Sequence, residues 1–216
     1  MSVFSIIDFL AVCAGALGGA AESAGDDHKE YDIVGVVGLG LVAALGGGVT
    51  RDLLLGRGAP LAFVDYRYLL FAFAGAFLGV LFHARIKHIA PLLLTIDAAA
   101  LGLYSVAGST RAIDAGLSII PAIILGAITA AGGGAIRDVI AGRPPKVFQP
   151  GRPYVLVALA ASAVYLLLRT NAVAAPWATV GGCGTGFVLR MLAVRFDWYT
   201  RAVGKSVKVA APGPRI

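Results

Sequence analysis

Long uncharged runs of apolar residues, separated by short polar stretches, set the pattern of this chain. Seven runs can be distinguished, and most are close to the roughly 20 residues that a helix needs to cross a membrane. Their approximate bounds are 3–21, 33–55, 68–82, 89–108, 115–140, 154–168 and 175–194. The pattern predicts an all-α membrane protein with seven transmembrane helices.

Composition favours the same class. Hydrophobic residues make up 58% of the chain and charged residues 14%, whereas a soluble domain carries about 25% charged residues. The formal net charge is +6, but the basic residues lie between apolar runs and in the C-terminal tail, which indicates membrane orientation and not nucleic-acid binding. Cys13 and Cys183 lie within apolar runs without CxxC spacing, so we expect buried free thiols and neither a disulfide nor a metal site.

One polar interruption occurs twice, in the second and fifth runs. The first copy is GGGVTRDLLLGR from Gly46 to Arg57, and the second is GGGAIRDVIAGR from Gly132 to Arg143. Both have the frame GGGxxRDxxxGR. Each glycine costs about 1 kcal/mol relative to alanine inside a helix, and charges at the end of a membrane segment are costly as well. A costly feature that is present twice predicts a functional role.

Other positions repeat in the same order. Ile7-Asp8 corresponds to Ile96-Asp97, and Tyr68-Leu69-Leu70 corresponds to Tyr154-Val155-Leu156. The first three runs (about 3–84) therefore resemble the next three (about 89–168). Because each unit has an odd number of spans, the two units must insert in opposite orientations. A seventh helix (about 175–194) and a basic tail (195–216) complete a single transmembrane domain of residues 1–216.

The distribution of Lys and Arg predicts orientation. A minority of the 18 basic residues fall on the side of the membrane opposite to the C-terminal tail: Arg51, Arg57, Arg67, Arg111 and Arg169. By the positive-inside rule, the C-terminus is cytoplasmic and the N-terminus is outside, in the plasma membrane. The first run is not expected to be a cleaved signal peptide, because it lacks a preceding basic region and contains Asp8.

Aromatic residues at segment edges predict anchors at the membrane interface. These are Tyr66, Tyr68, Trp177, Trp198 and Tyr199.

The glycine triplets predict an ion path. An unwound turn there would leave carbonyls without intrahelical partners, and such carbonyls can replace part of a cation's hydration shell. The alternative is close helix packing, which small residues also permit. The predicted path residues are Gly46, Gly47, Gly48, Thr50, Arg51, Asp52, Thr129, Gly132, Gly133, Gly134, Arg137 and Asp138.

Neighbouring Arg and Asp residues on a helix point about 100° apart. We therefore expect each of them to find a partner on another segment, with Asp8 and Asp97 as candidates, or to extend towards the membrane interface. Lys146 and Arg152 lie beside prolines. They are candidates for binding an anionic lipid headgroup, or they serve only as orienting charges.

The paired GGGxxRDxxxGR frames in two three-span repeats, followed by a seventh span, resemble the trimeric intracellular cation (TRIC) channel family, in particular its prokaryotic branch. The resemblance covers about Asp8 to Leu168. It implies a homotrimer in membrane lipid, with one potassium-permeable path per protomer lined by the kinked second and fifth segments and with no cofactor. It also implies the same orientation. The Lys-Glu-Val motif of the phosphoinositide-binding animal members is not found. Related bacterial sequences are described as glycine transporters.

Two functions and one non-transporting role remain open from the sequence. The leading hypothesis is a channel for potassium and sodium ions with modest selectivity, since no TVGYG-like filter is present. The second is a secondary transporter for a small zwitterion such as glycine, because inverted repeats with broken helices also suit alternating access. A passive trimeric scaffold is the third. No HExxH, GxSxG or Walker motif indicates an enzyme, and no metal beyond a transient monovalent cation is expected.

Overall fold

The computed structural model describes residues 3–25, 30–56, 58–82 and 86–202, and that part of the chain is helical. The helices are α1 (Val3–Ala24), α2 (Ile33–Leu55), α3 (Leu61–Val64), α4 (Tyr66–Phe82), α5 (Ile86–Asp114), α6 (Ile119–Ile140), α7 (Val155–Thr170) and α8 (Ala175–Arg195). A short 3-10 turn, Lys146–Phe148, lies between α6 and α7. The all-α fold predicted from the sequence is thus confirmed.

Each predicted segment coincides with a helix, but the number of membrane spans stays a prediction. Among the residues that the structure describes, four helices are long and apolar enough to cross a membrane: Ile33–Leu55, Pro91–Asp114, Ile119–Ile140 and Ala175–Arg195. The helices Tyr66–Phe82 and Val155–Thr170 are apolar but shorter. These lengths agree with a multi-pass membrane protein.

The fourth predicted segment is too short at its C-terminal end. It was expected to end near Gly108, whereas α5 continues to Asp114 through a polar stretch. The Thr110 hydroxyl donates to the Val106 carbonyl one turn earlier at 2.8 Å, and the buried Ser109 hydroxyl donates to the Ala122 carbonyl of α6 at 3.3 Å. Polar side chains that are satisfied within the helix bundle do not end a helix.

The last glycine of each frame ends its helix. Gly56 and Gly142 both have a left-handed backbone, with φ of 62° and 65°. Glycine adopts this conformation without the steric penalty that a Cβ brings, which is why it commonly follows the last helical turn. The frame therefore contains a helix stop as well as the triplet.

Small residues form the interior and large apolar residues form the outer surface. The buried set is dominated by alanines, among them Ala11, Ala16, Ala20, Ala72, Ala76, Ala98, Ala107, Ala122, Ala158 and Ala161. Large exposed apolar side chains include Leu53, Phe63, Leu70, Phe73, Phe77, Ile120, Ile124, Leu156, Trp177 and Val180. This distribution is expected where helices approach closely and the outer face contacts lipid.

Helices α2 and α6, called here the central helix pair, pack on each other and connect the two three-helix units. Ala43 contacts Gly133, and Gly47 contacts Thr129, so the contacts run in opposite directions along the two helices and the pair is antiparallel. In contrast, α1 and α4 are parallel, because Gly75 contacts Cys13 and Gly79 contacts Leu17. Helix α8 packs on α5 and α7. An inverted pair of three-helix units predicts such directions.

Candidate functional site

The glycine triplets lie where α2 crosses α6. Both helices are α-helical through their triplets, so the expectation of an unwound turn with free carbonyls is wrong. A Cβ at Gly47 would lie 2.0 Å from the Thr129 carbonyl oxygen, and one at Gly133 would lie 2.1 Å from the Ala43 carbonyl oxygen. The triplets thus provide the close helix packing that was the alternative interpretation. A bend within these continuous helices stays a prediction.

The glycines within a triplet have different surroundings. Gly46 and Gly132 also face the opposite helix, since their Cβ positions lie 3.2 Å from the Gly133 Cα and 3.4 Å from the Gly47 Cα. The third glycines do not. A Cβ at Gly134 would meet no atom within 4 Å, and one at Gly48 would meet only an Arg51 nitrogen at 3.7 Å. Each third glycine instead lines a cavity.

The two predicted path hydroxyls are bonded within their own helices. Thr50 donates to the Gly46 carbonyl at 2.8 Å, and Thr129 donates to the Leu125 carbonyl at 2.7 Å. Neither residue belongs to the lining of the two cavities described next. Their role in ion passage therefore stays a prediction.

The first cavity, the Arg51 cavity, lies at the C-terminal end of α2. Its volume is about 20 Å³, which is enough for one water molecule. It is lined by Asp8, Val12, Ala44, Leu45, Gly48, Arg51, Asp52, Leu61, Ala62, Tyr68 and Tyr104. The charged residues that the sequence predicts for the first unit are thus brought together here.

The second cavity, the Arg137 cavity, lies at the C-terminal end of α6 and is much larger. Its volume is about 770 Å³, within the range of small-molecule sites. Its polar lining comprises Glu22, Asp97, Tyr104, Arg137, Asp138, Lys146, Gln149, Arg152, Tyr154, Arg190, Asp197 and Tyr199. Because α2 and α6 are antiparallel, the two cavities lie towards opposite ends of the pair.

Each frame arginine bonds to the aspartate that follows it, so the expectation that neighbouring Arg and Asp do not pair with each other is wrong. The Arg51 Nε lies 2.8 Å from Asp52 Oδ1, and the Arg137 Nη2 lies 2.7 Å from Asp138 Oδ1. The arginine side chain is long enough to turn back across the 100° between neighbouring positions. The side chain of Arg137 also reaches Glu22 of α1 at 2.7 Å.

The second oxygen of each frame aspartate holds the following loop. Asp52 Oδ2 accepts from the Leu61 N–H at 3.0 Å, and Asp138 Oδ2 accepts from the Lys146 N–H at 3.1 Å. A carboxylate near a helix C-terminus is disfavoured by the helix dipole, and these two bonds, together with the arginines, offset that cost. The same local architecture is therefore present in both units.

The aspartates expected to pair with the arginines bond to tyrosines. The Tyr68 hydroxyl donates to Asp8 at 2.5 Å, and the Tyr154 hydroxyl donates to Asp97 at 3.2 Å. Tyr68 is buried, so its prediction as an interfacial anchor is wrong. Both tyrosines occupy corresponding positions in the repeat, and this recurrence was the signal in the sequence for a shared role.

The two candidate lipid ligands have acidic partners. The Lys146 ammonium pairs with Glu22, and the Arg152 guanidinium lies 3.1 Å from Asp197. Both residues line the Arg137 cavity. A lipid headgroup would have to compete with these acids, and the headgroup role stays a prediction.

Tyr104 of α5 lies between the cavities, because it lines both of them. Its hydroxyl donates to the Ala44 carbonyl of α2 at 2.9 Å. A Cβ at Gly15 of α1 would lie 2.7 Å from that hydroxyl, so three helices converge on it. Sequence reasoning missed Tyr104, since a single tyrosine in an apolar run is typical of a core residue. It also missed Arg190, although this residue is a lone base in the seventh run.

Relatives of known sequence and structure share this architecture. The family profile described as Glycine transporter matches residues 5–84 and 94–170. A UPF0126 membrane protein of Deinococcus radiodurans is 37% identical over 163 residues, which are 74% of this chain and 74% of the relative. A solved structure described as showing the basis for conductance through TRIC cation channels matches with a TM-score of 0.85 and 31% identity, covering 97% of this chain and all of that chain. The chain belongs to the TRIC channel family.

A second solved TRIC structure supports the assignment. The TRIC trimeric intracellular cation channel orthologue from Rhodobacter sphaeroides matches with a TM-score of 0.82 and 30% identity, over 91% of this chain and 100% of that chain. The stretches matched by the family profile, 5–84 and 94–170, coincide with the two units of the predicted repeat. This TRIC family chain is therefore a multi-pass membrane protein with two cavities at the ends of its central helix pair.

Proposed function

We propose that this chain is a monovalent-cation channel, permeable to potassium and sodium, with one path through each protomer. The observation that carries the proposal is the place of Tyr104 between two cavities, each lined in part by charged residues, at opposite ends of the α2–α6 pair. The likeness to proteins described as TRIC cation channels supports it. In this proposal an ion enters the Arg137 cavity, passes Tyr104 and leaves through the Arg51 cavity.

The groups that line the proposed path differ from the unwound-helix carbonyls that the sequence predicts. The third glycines, Gly48 and Gly134, leave space beside the cavities, and the carboxylates of Asp52 and Asp138 provide negative charge. Arg51 and Arg137 are bonded to those carboxylates, so their movement would change the charge that a passing cation meets. We infer that the arginines tune or gate conduction.

Assembly and orientation belong to the same proposal. The active form is a homotrimer of single-domain protomers, and the orthologue from Rhodobacter sphaeroides is described as trimeric. In each protomer, two inverted three-helix units and α8 span the plasma membrane. The N-terminus is outside and the C-terminus is cytoplasmic. The partners are potassium and sodium ions and membrane lipids, with Lys146 and Arg152 as candidate headgroup ligands and no nucleic acid.

The experiment that tests the proposal is measurement of reversal potentials on purified protein in planar bilayers. Potassium/chloride gradients are expected to give a potential of cation-selective sign, and potassium/sodium gradients a small shift. Unitary openings that carry many ions per event are expected. A preparation that is trimeric and monodisperse but gives no discrete currents, or anion-selective currents, would overturn the proposal.

A second candidate function is a carrier for a small zwitterion such as glycine. It is favoured by the mixed charges of the Arg137 cavity and by the family profile described as Glycine transporter. Saturable uptake of labelled glycine into proteoliposomes, without unitary currents, would support the carrier over the channel. A passive scaffold would give neither signal.

A further inference from the structure

The charged side chains that line the Arg137 cavity balance in sign. The acidic members are Glu22, Asp97, Asp138 and Asp197, and the basic members are Arg137, Lys146, Arg152 and Arg190. A vestibule for cations alone favours rings of carboxylates. A balanced lining with separated charges suits a ligand that carries both signs.

Three of the acids in this lining are held in short ion pairs. Arg137 lies 2.7 Å from both Glu22 and Asp138, and Arg152 lies 3.1 Å from Asp197. The remaining pair, between Arg190 Nη2 and Asp97 Oδ2, has a separation of 3.6 Å, which is too long for a hydrogen bond. A ligand that binds between Arg190 and Asp97 therefore breaks a weaker contact than a ligand that binds between the members of any other ion pair in the cavity.

Arg190 has donors to offer. Its guanidinium carbon lies 4.9 Å from the centre of the Tyr154 ring, so the group packs on that ring. In the part of the chain that the structure describes, its buried Nε and Nη1 have no hydrogen-bond partner. Buried donors without acceptors are rare and costly, and the planar guanidinium matches a carboxylate in a two-point contact.

Asp97 is accessible from the same cavity. One of its oxygens accepts from Tyr154 at 3.2 Å, and 40% of its side chain is exposed. The other oxygen faces Arg190 at the longer distance. A carboxylate that is held in place by a tyrosine and open on one side can bind an ammonium group.

We propose that Arg190 and Asp97 form a binding site for a small α-amino acid in the Arg137 cavity. The ligand carboxylate binds the edge of Arg190 that Nη1 and Nη2 form, and the ligand ammonium binds Asp97. The proposal deepens the zwitterion-carrier candidate, because it names the site and the substrate class. Binding itself does not require transport, so it also holds for a channel that an amino acid occupies.

The corresponding place in the first unit does not offer such a site. Asp8 is only 3% exposed and is bonded to Tyr68 at 2.5 Å. Arg190, which supplies the arginine of the proposed site, belongs to α8, and α8 lies outside the two repeated units. The site is therefore expected once per protomer, and α8 is what creates it.

The test is calorimetric titration of the purified full chain in detergent with glycine, acetate and methylammonium. Glycine is expected to bind, whereas acetate and methylammonium, which each lack one charge, bind at least about tenfold more weakly because one contact is missing. Arg190→Met and Asp97→Asn are expected to weaken glycine binding by at least about tenfold, and Arg190→Lys by less. Arg195→Met, which removes an exposed base of the same helix that does not line the cavity, is the matched control and is expected to leave the affinity unchanged.

Titration of the unaltered chain with glycine, acetate and methylammonium tests the proposed site even if a variant fails to fold. No glycine binding at millimolar concentration, or equal binding of acetate and glycine, overturns the site. Equal loss in Arg195→Met and Arg190→Met also overturns it, since the affinity would then depend only on the net charge of the protein. Bilayer currents are recorded on the same preparations, so that failure of this site with currents retained leaves the channel proposal intact.

Discussion

Gly47 of α2 packs directly on the Thr129 carbonyl of α6, so that a Cβ at Gly47 would lie 2.0 Å from that oxygen. A backbone oxygen cannot rotate away as a side chain can, and relief would require the two helices to separate. The reciprocal contact, between Gly133 and the Ala43 carbonyl, would leave 2.1 Å. The central helix pair is therefore held at a distance that only glycine permits.

Replacing Gly133 with alanine is expected to lower the thermal stability of the protein. Alanine gains about 1 kcal/mol in helix propensity, but overpacking a close contact costs about 1–3 kcal/mol, and the contact here is with rigid backbone. We expect Gly133→Ala to melt at a lower temperature than the unaltered chain in fluorescence-detected size-exclusion assays. Gly47→Ala is expected to behave in the same way.

Gly134→Ala is the matched control for this prediction. It lies next to Gly133, but a Cβ there would meet no atom within 4 Å. Its stability is expected to be unchanged or slightly raised. Equal melting temperatures of Gly133→Ala and Gly134→Ala would mean that the helix crossing tolerates a methyl group and that the packing interpretation is wrong.

The sequence predicted the helices well because their boundaries depend on local physics. An apolar run is recognised within about 20 residues of sequence, and the left-handed glycines Gly56 and Gly142, which end α2 and α6 in the structure, also act within a single helical turn. The duplication was also visible, since both frames share several positions. These features need no knowledge of which helix lies beside which.

The partners of the charged residues were harder to predict. The angle between neighbouring helix positions suggested that Arg51 and Asp52 could not bond, yet the flexible arginine side chain turns back to its neighbour at 2.8 Å. The partner of Asp97 on α8, Arg190, depends on tertiary packing outside the repeat. A sequence shows that a buried charge needs a partner, but it does not say which helix provides it.

Removing the Tyr68 hydroxyl is expected to destabilise the first unit. Tyr68→Phe leaves the buried Asp8 without the donor that lies at 2.5 Å, and an unsatisfied buried polar group costs about 1–3 kcal/mol. The corresponding change, Tyr154→Phe, is expected to cost less, because the side chain of Asp97 is 40% exposed and faces Arg190. Thermal unfolding of both variants under the same conditions measures the difference. A larger loss for Tyr154→Phe would contradict this ranking.

The two frame aspartates are expected to respond unequally to neutralisation. Within the described residues, the carboxylate paired with Arg51 is Asp52, whereas Arg137 pairs with both Asp138 and Glu22. Breaking a buried ion pair costs about 3–5 kcal/mol when a charge is left alone. We therefore expect Asp52→Asn to lower the melting temperature more than Asp138→Asn does.

Asp138→Asn is also expected to lower cation flux without preventing trimer assembly. The asparagine oxygen can still accept from the Lys146 N–H, so the loop stays in place while the charge is lost. Bilayer recording and size-exclusion chromatography separate the two effects. Loss of the trimer would assign Asp138 a structural role, and unchanged flux would remove it from the proposed path.

Shortening Tyr104 is expected to raise conductance, because its side chain separates the two cavities. Tyr104→Ala removes both the ring and the 2.9 Å bond to the Ala44 carbonyl, so the small Arg51 cavity and the large Arg137 cavity would join. Tyr104→Phe keeps the ring and loses only the hydrogen bond, which contributes about 0.5–1.5 kcal/mol. We expect larger unitary currents for the alanine variant and currents of near-normal size, with altered open times, for the phenylalanine variant.

Tyr165→Phe is the control, since this buried tyrosine bonds to Thr110 at 2.8 Å and lines neither cavity. A conductance change in Tyr165→Phe equal to that in Tyr104→Ala would mean that the path does not pass Tyr104.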